Sequence, residues 1–342
     1  MSDLKIVLSK MLSATITSVT SQNKTLQGGT IGEVCLISGT AETVDNKKIP
    51  YKLVLKITKK WERHGDPESW RREYDLYASE FDMLFSDSLR WPKCYHHELN
   101  ENETKLWLEY IDGVSGVELT PPMYERAAKE LGRFQGKLYA EQPSILQSLS
   151  NLSNTGYLKN FYMNYRLWPE VYDYIRSNDC ELPRELCEML IKIDEQADEI
   201  FLRIEKLPIV LCHRDFWVTN IFYSPETDVS DRSKTERSDT ITLIDWDTTG
   251  WGYLGEDIAS LIADDADVIH MLENFKNCIP AYYKGFSEYA DISHIKDNCV
   301  YEIILLMYGY RTVEGYKYAE TPEGKELCLK TLQKICEMGR MV

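Results

Sequence analysis

Residues 211–220 read Leu211-Cys212-His213-Arg214-Asp215-Phe216-Trp217-Val218-Thr219-Asn220, and residues 243–247 read Leu243-Ile244-Asp245-Trp246-Asp247. The first stretch puts a carboxylate at the start of a short loop and a side-chain amide five residues later. The second ends an apolar run on two further carboxylates. Moving a phosphoryl group from a nucleoside triphosphate requires a divalent cation to neutralise the phosphates, and such hard cations take oxygen ligands. It also requires a carboxylate that orients the incoming hydroxyl and accepts its proton. Asp215, Asn220 and Asp245 are the residue types this chemistry asks for. A loop followed by a hairpin is expected to return Asp245 beside the other two.

Outward from the motifs, 220–223 and 240–245 read as strands, and the nearly all-polar segment 224–239 reads as a long hairpin loop with some disorder. Residues 15–57 carry short β-type runs, clearest at 34–37 and 52–57. Between two of them, Gln27-Gly28-Gly29-Thr30-Ile31-Gly32-Glu33-Val34 is a glycine-rich turn. Gly28, Gly29 and Gly32 there would let backbone N–H groups approach phosphate oxygens. Trp70, Tyr74, Tyr77, Ala78 and Phe81 keep helical spacing and predict one long helix over 68–85. A second β pair follows at 93–98 and 104–111, closed by Asp112-Gly113.

Beyond Gly113 helix dominates. Pro121 and Pro122 suit the first turn of a helix running through Ala127, Leu131, Phe134 and Leu138. Further helices are expected at 158–177, 185–206, 258–270 and 274–289, with two more within 295–341. The fold expected is α+β, with a small, mostly antiparallel β lobe over 1–111 and a larger helical lobe over 112–342.

Composition narrows the function classes. A chain of 342 residues, 43% hydrophobic and 27% charged, has the balance of a globular protein and excludes disordered, collagenous and coiled-coil readings. Lys and Arg number 39 against 55 Asp and Glu, for a formal charge of -16. So acidic a surface repels phosphate backbones, so no nucleic-acid partner is expected; a cationic or polar partner suits it better. The nine cysteines contain no CxxC pair, which argues for reduced thiols in the cytoplasm and against a zinc knuckle or disulfide scaffold. Lys5 and Lys10 interrupt the apolar positions of the first residues, giving an amphipathic helix rather than a secretory segment. The longest apolar run, 303–310, is far too short to span a bilayer, and no membrane association is expected.

The HxDxxxxN pattern followed by IDWD resembles the aminoglycoside phosphotransferase and choline kinase group of the protein-kinase-like superfamily. The resemblance implies a two-lobed kinase fold, with Asp215 as catalytic base, Asn220 and Asp245 as magnesium ligands, and His213 as a structural residue of the loop. It extends to the glycine turn, although Gln27 stands where GxGxxG has its first glycine. It assigns Lys56 to the α- and β-phosphates and Glu73 to the ion pair that holds Lys56; Glu68 and Glu80 share that helix, so the choice among them rests on the resemblance. Residues 106–113 resemble the hinge, where the Glu109 carbonyl and the Ile111 N–H would read the adenine edge. Asp257, near a helix start, is expected as a brace or cap.

The implied activity is transfer of the γ-phosphoryl group of ATP or GTP, with Mg2+, to a hydroxyl of a small molecule such as an aminoglycoside, an amino sugar or a choline-like amine. Aromatic faces beside carboxylates hold ammonium groups, which nominates Trp246 and Asp247 as acceptor contacts. His64, His96 and His97 lack companions at metal-ligand spacing and read as ordinary polar residues. A protein kinase and a catalytically silent kinase-fold binding module are the alternatives. The lack of an Ala-Pro-Glu segment after IDWD and the short distance to Asp257 favour a small acceptor over a protein. Oligomeric state is open at this level.

Overall fold

The computed structural model describes residues 2–26, 32–62, 66–166, 169–224, 240–264, 268–295 and 298–342. Helix α1 (Ser2–Leu12) leads into the antiparallel strands β1 (Ile16–Thr25), β2 (Glu33–Thr43) and β3 (Lys48–Lys59). The short helix α2 (Arg72–Tyr77) follows, then β4 (Leu89–Arg90), β5 (Cys94–Leu99) and β6 (Glu103–Glu109). Five of these strands form one antiparallel sheet in the order β1-β2-β3-β6-β5. Val7 and Leu8 of α1 are fully buried with Ile37, Ala41, Leu53 and Trp107 of the sheet, which is why the amphipathic first helix docks there.

The single helix predicted over 68–85 is divided. A 3-10 turn at Ser69–Arg71 precedes the six residues of α2, and a second covers Phe81–Leu84. Ser79 explains the break: its Oγ donates to the Leu76 carbonyl at 2.6 Å and accepts the Phe81 N–H at 3.2 Å, a local alternative to helical bonding.

The rest of the chain is α3 (Pro121–Glu141), α4 (Ile145–Ser148), α5 (Tyr157–Arg166), α6 (Pro169–Tyr174), α7 (Arg184–Glu195) and α8 (Ala197–Ile204), then β7 (Ile209–Cys212), β8 (Ile221–Ser224), β9 (Thr240–Leu243) and β10 (Gly250–Tyr253). It closes with α9 (Glu256–Ala263), α10 (Met271–Phe286), α11 (Asn298–Ile304), a π-helical turn at Leu305–Gly309, α12 (Tyr310–Tyr318) and α13 (Pro322–Met338). The polar segment expected as a hairpin loop lies outside the described residues from 225 to 239.

Two compact units result. The first comprises residues 1–114, 144–151 and 222–248; the second comprises 115–143, 152–221 and 249–342. Besides the five-stranded sheet, the first unit holds the sheet β4-β9-β8, in which β4 and β9 pair in parallel through Leu89↔Ile241 and Arg90↔Thr242. That pairing draws residues 245–247 into the β-rich unit, where the sequence reading had put them in the helical lobe. The second unit is helical apart from the β7–β10 ribbon, which sets Cys212 opposite Gly250. Its α3 and α10 lie so close that a Cβ on Gly132 would stand 2.1 Å from the Tyr282 carbonyl oxygen. Among the described residues no helix is long and apolar enough to cross a membrane.

Candidate active site

In the first unit the motif residues gather around one ammonium. Lys56 lies on β3 opposite Val34 and Leu106, flanked by apolar neighbours. Its Nζ is 2.5 Å from Glu73 Oε2 and 2.6 Å from Asp245 Oδ1. Glu73, on α2, is buried; its Oε1 also accepts the Trp246 N–H at 3.2 Å. Burial alone would push the Lys56 ammonium toward neutrality. The carboxylates of Asp245, Glu73 and Asp247 outweigh that and hold its pKa well above the ordinary value, so it is charged at neutral pH. Burial raises the Glu73 carboxyl even with Lys56 beside it.

The glycine turn is partly visible. Gly28 and Gly29 lie outside the described residues. Gly32 has φ +143, and a Cβ there would stand 2.1 Å from the Ile57 carbonyl oxygen. Glycine is therefore required where β2 starts, one register step from Lys56. At the expected hinge, Glu109 ends β6 and its side chain makes a bidentate pair with Arg90, at 2.6 and 3.1 Å, while also accepting the Lys93 N–H at 3.1 Å. The Ile111 N–H has no backbone partner among the described residues.

Trp246 needs correction as an acceptor contact. It is 1% exposed, its Nε1 donates to the Leu243 carbonyl, and its ring packs against Phe81, Phe85 and Trp91. A ring enclosed in that way offers no face to a ligand. Asp247 stands beside it, with its backbone carbonyl held by Arg72 at 2.9 Å.

The second unit carries the other half of the motif. Asn220 Nδ2 donates to Asp215 Oδ2 at 2.7 Å and to the Asp215 carbonyl at 2.9 Å. The amide nitrogen thus fixes the carboxylate and leaves Oδ1 as the oxygen a cation would use. His213 is buried, and its Nδ1 accepts the Asp215 N–H at 3.3 Å, in keeping with a structural role. Asp257 accepts the His213 N–H at 2.9 Å, the Arg214 N–H at 2.7 Å and Gln135 Nε2 at 2.8 Å. It is a brace for the loop backbone. Burial raises its carboxyl to about 6 and that of Glu256 to about 7.

Sequence reasoning missed Arg214 as an anchor. Its buried guanidinium bonds Ser153 Oγ, the Asn154 carbonyl at 2.8 Å and the Trp251 carbonyl, sits over the Tyr157 ring, and lies 3.7 Å from Glu256. Arg72 was missed too; only its place next to Glu73 hinted at it. His64 is not among the described residues. His96 pairs with Glu98 at 3.2 Å, a surface contact.

Asp245 offers a carboxylate in the first unit and Asn220 an amide oxygen in the second; each is a hard oxygen of the type that magnesium takes.

The sequence profile of the phosphotransferase enzyme family matches residues 43–282. A search of curated proteins gives no match. Among solved structures, the GDP complex of wild-type aminoglycoside 2'-phosphotransferase-IIIa is similar at 13% identity, covering 98% of this chain and 97% of that one with a TM-score of 0.55. The Plasmodium vivax ethanolamine kinase is similar at 15% identity, over 92% and 81% of the two chains, with a TM-score of 0.52. An aminoglycoside phosphotransferase from Alicyclobacillus acidocaldarius subsp. acidocaldarius DSM 446 follows at 12% identity, over 94% and 89%, with a TM-score of 0.51. At these identities the likeness is one of fold.

Proposed function

The chain belongs to the phosphotransferase enzyme family, and from that premise we propose that it is a small-molecule kinase moving the γ-phosphoryl group of ATP or GTP to a hydroxyl of a small amine-bearing acceptor. It is a phosphotransferase of kinase-like α+β fold, with an alcohol as acceptor. The acceptor class proposed covers aminoglycosides, amino sugars and ethanolamine- or choline-like amines, in keeping with the names of its structural neighbours. Nucleotide binding is assigned to the β-rich unit and acceptor binding to the helical one. We place the reaction in the cytoplasm, in keeping with nine free cysteines.

In this reading the Lys56 ammonium grips the α- and β-phosphates, and Glu73 keeps it aimed. Gly28, Gly29 and Gly32 give phosphate oxygens access to backbone N–H groups, and the backbone of Glu109 and Ile111 meets the base. Asp245 and Asn220 would be the magnesium ligands, and the cation bound with the nucleotide would neutralise phosphate charge. Asp215 accepts the proton of the acceptor hydroxyl as the hydroxyl oxygen bonds the γ-phosphorus and the bond from that phosphorus to the bridging oxygen breaks, releasing nucleoside diphosphate; Asn220 Nδ2 holds the Asp215 carboxylate in place. Asp257 fixes the loop that carries it. Asp247, which belongs to the β-rich unit and not to the helical one, is the remaining candidate for an acceptor contact. Most of the acceleration is positional and electrostatic, with the base supplying about 10²–10⁴-fold.

The observation that carries this reading is the half-buried Lys56 ammonium bracketed by Glu73 and Asp245 at 2.5 and 2.6 Å. The test is a pair of variants assayed by nucleotide binding and turnover. Asp215→Ala should lose turnover and keep nucleotide affinity, whereas Asp245→Ala should lose metal-dependent nucleotide binding as well. Full activity in either variant refutes its assigned role.

A further inference from the structure

Two successive residues of α2 grip the peptide groups on either side of the 246–247 peptide, in the segment that follows β9. Glu73 accepts the N–H of Trp246, and Arg72 Nη1 donates to the carbonyl of Asp247 at 2.9 Å. Arg72 also donates through Nε to the Asn151 carbonyl at 2.6 Å and pairs with Asp66 through Nη2. Asn151 is itself fixed: its Nδ2 donates to the Glu68 carbonyl at 3.0 Å and to Asp75 Oδ2 at 2.8 Å. The Arg72 side chain is only 3% exposed, so it does not reach for a ligand. Its donors go to carbonyls and a carboxylate of its own unit.

We propose that Arg72 is a positioning residue for cation binding at Asp245: by holding the Asp247 carbonyl it fixes the turn that aims the Asp245 carboxylate. This rests on the reading of Asp245 as a metal ligand. The physical argument is conformational. Asp245 sits at φ +65, in the sparsely populated left-handed region, and keeps that geometry only while its surroundings hold it. The Glu73–Trp246 bond restrains one side of the turn and Arg72 restrains the other. The planar guanidinium spans two carbonyls and a carboxylate at once, which a lysine ammonium cannot do. The Trp246 indole stays docked among Phe81, Phe85 and Trp91 in any case, so loosening the turn need not undock the segment.

The experiment titrates ATP, and GTP in parallel, into wild type, Arg72→Lys and Arg72→Gln by calorimetry, once with magnesium and once with EDTA, with thermal unfolding of each protein alongside. Both variants should bind the magnesium nucleotide about tenfold more weakly and the metal-free nucleotide within about twofold of wild type, the scale seen when a partner of a metal ligand is removed. Arg72→Lys keeps the positive charge beside Asp66 and should melt near wild type. Equal weakening in both arms, no weakening in a folded variant, or loss of folding in both variants makes Arg72 a stability residue and overturns the proposal. A wild type that gains no nucleotide affinity from magnesium would instead strike the reading of Asp245 itself.

Discussion

Arg214 and Asp245, one in each motif, occupy left-handed backbone angles at φ +67 and +65. Asp enters that region more readily than Arg, but in both the geometry persists only where other contacts hold it. The buried guanidinium of Arg214 supplies them, through Ser153, Asn154, Trp251 and Tyr157. Replacing Arg214 with Ala removes the donor shared by Ser153, Asn154 and Trp251 and should lower stability by about 3 kcal/mol or more; denaturant unfolding measures it. Glu256 also gives a pH signature. Its carboxyl titrates near 7 in the fold because burial outweighs Arg214 and the Tyr253 N–H, against an ordinary value of 4.5. Between those values the folded protein keeps a proton that the unfolded chain has released. Stability from this group therefore falls as pH rises from about 4.5 to about 7 and is flat above, a change of order 1–3 kcal/mol. Unfolding of wild type and Glu256→Gln at pH 5 and pH 8 isolates it: the variant should lose less stability over that interval, and an equal loss in both would count against the assignment.

At the level of elements, Gly32 ties the start of β2 to β3 beside Lys56. Gly32→Val must shift the Ile57 carbonyl or leave its backbone region, and should weaken nucleotide binding along with an unfolding cost of about 1–2 kcal/mol. A variant with wild-type affinity and stability would remove the turn from the site. The elements themselves were largely legible. Short β-type runs marked β2, β3, β5 and β6, and Pro121-Pro122 marked the start of α3. The helix over 68–85 was read as one because aromatic spacing says where a face is apolar, not where a serine hydroxyl interrupts backbone bonding. Asp215, Asn220 and Asp245 were singled out by residue type and order in the sequence, whereas Lys56 and Glu73 were nominated only through the resemblance. Arg72, Arg214 and the burial of Trp246 were not legible, since each depends on partners far away in sequence, such as Asn151 for Arg72 and Phe81 for Trp246. Asp257 was the intermediate case. Its place near a helix start allowed a cap or a brace, and the bonds to residues 213 and 214 identify the brace.

For the whole molecule, the division at 111/112 expected from strands giving way to helices omits a return of the chain: β9 comes back to pair with β4, so Asp245 joins Lys56 and Glu73 in the β-rich unit. A parallel pairing of residues 89–90 with 241–242 leaves no local signal in either segment. The charge of -16 adds a prediction for the acceptor. If it is cationic, long-range attraction assists its capture, so its KM should rise as salt is raised toward physiological strength, where the screening length is about 8 Å. A KM independent of salt would remove the cationic class. The central claim, that Asp215 drives phosphoryl transfer to a small hydroxyl compound, is tested most directly by nucleoside diphosphate release from ATP and GTP across a panel of hydroxylated amines and sugars, for wild type and Asp215→Asn. Wild type should show magnesium-dependent release that one acceptor class stimulates and that the variant lacks; release indifferent to acceptor, or equal in the variant, would contradict the claim.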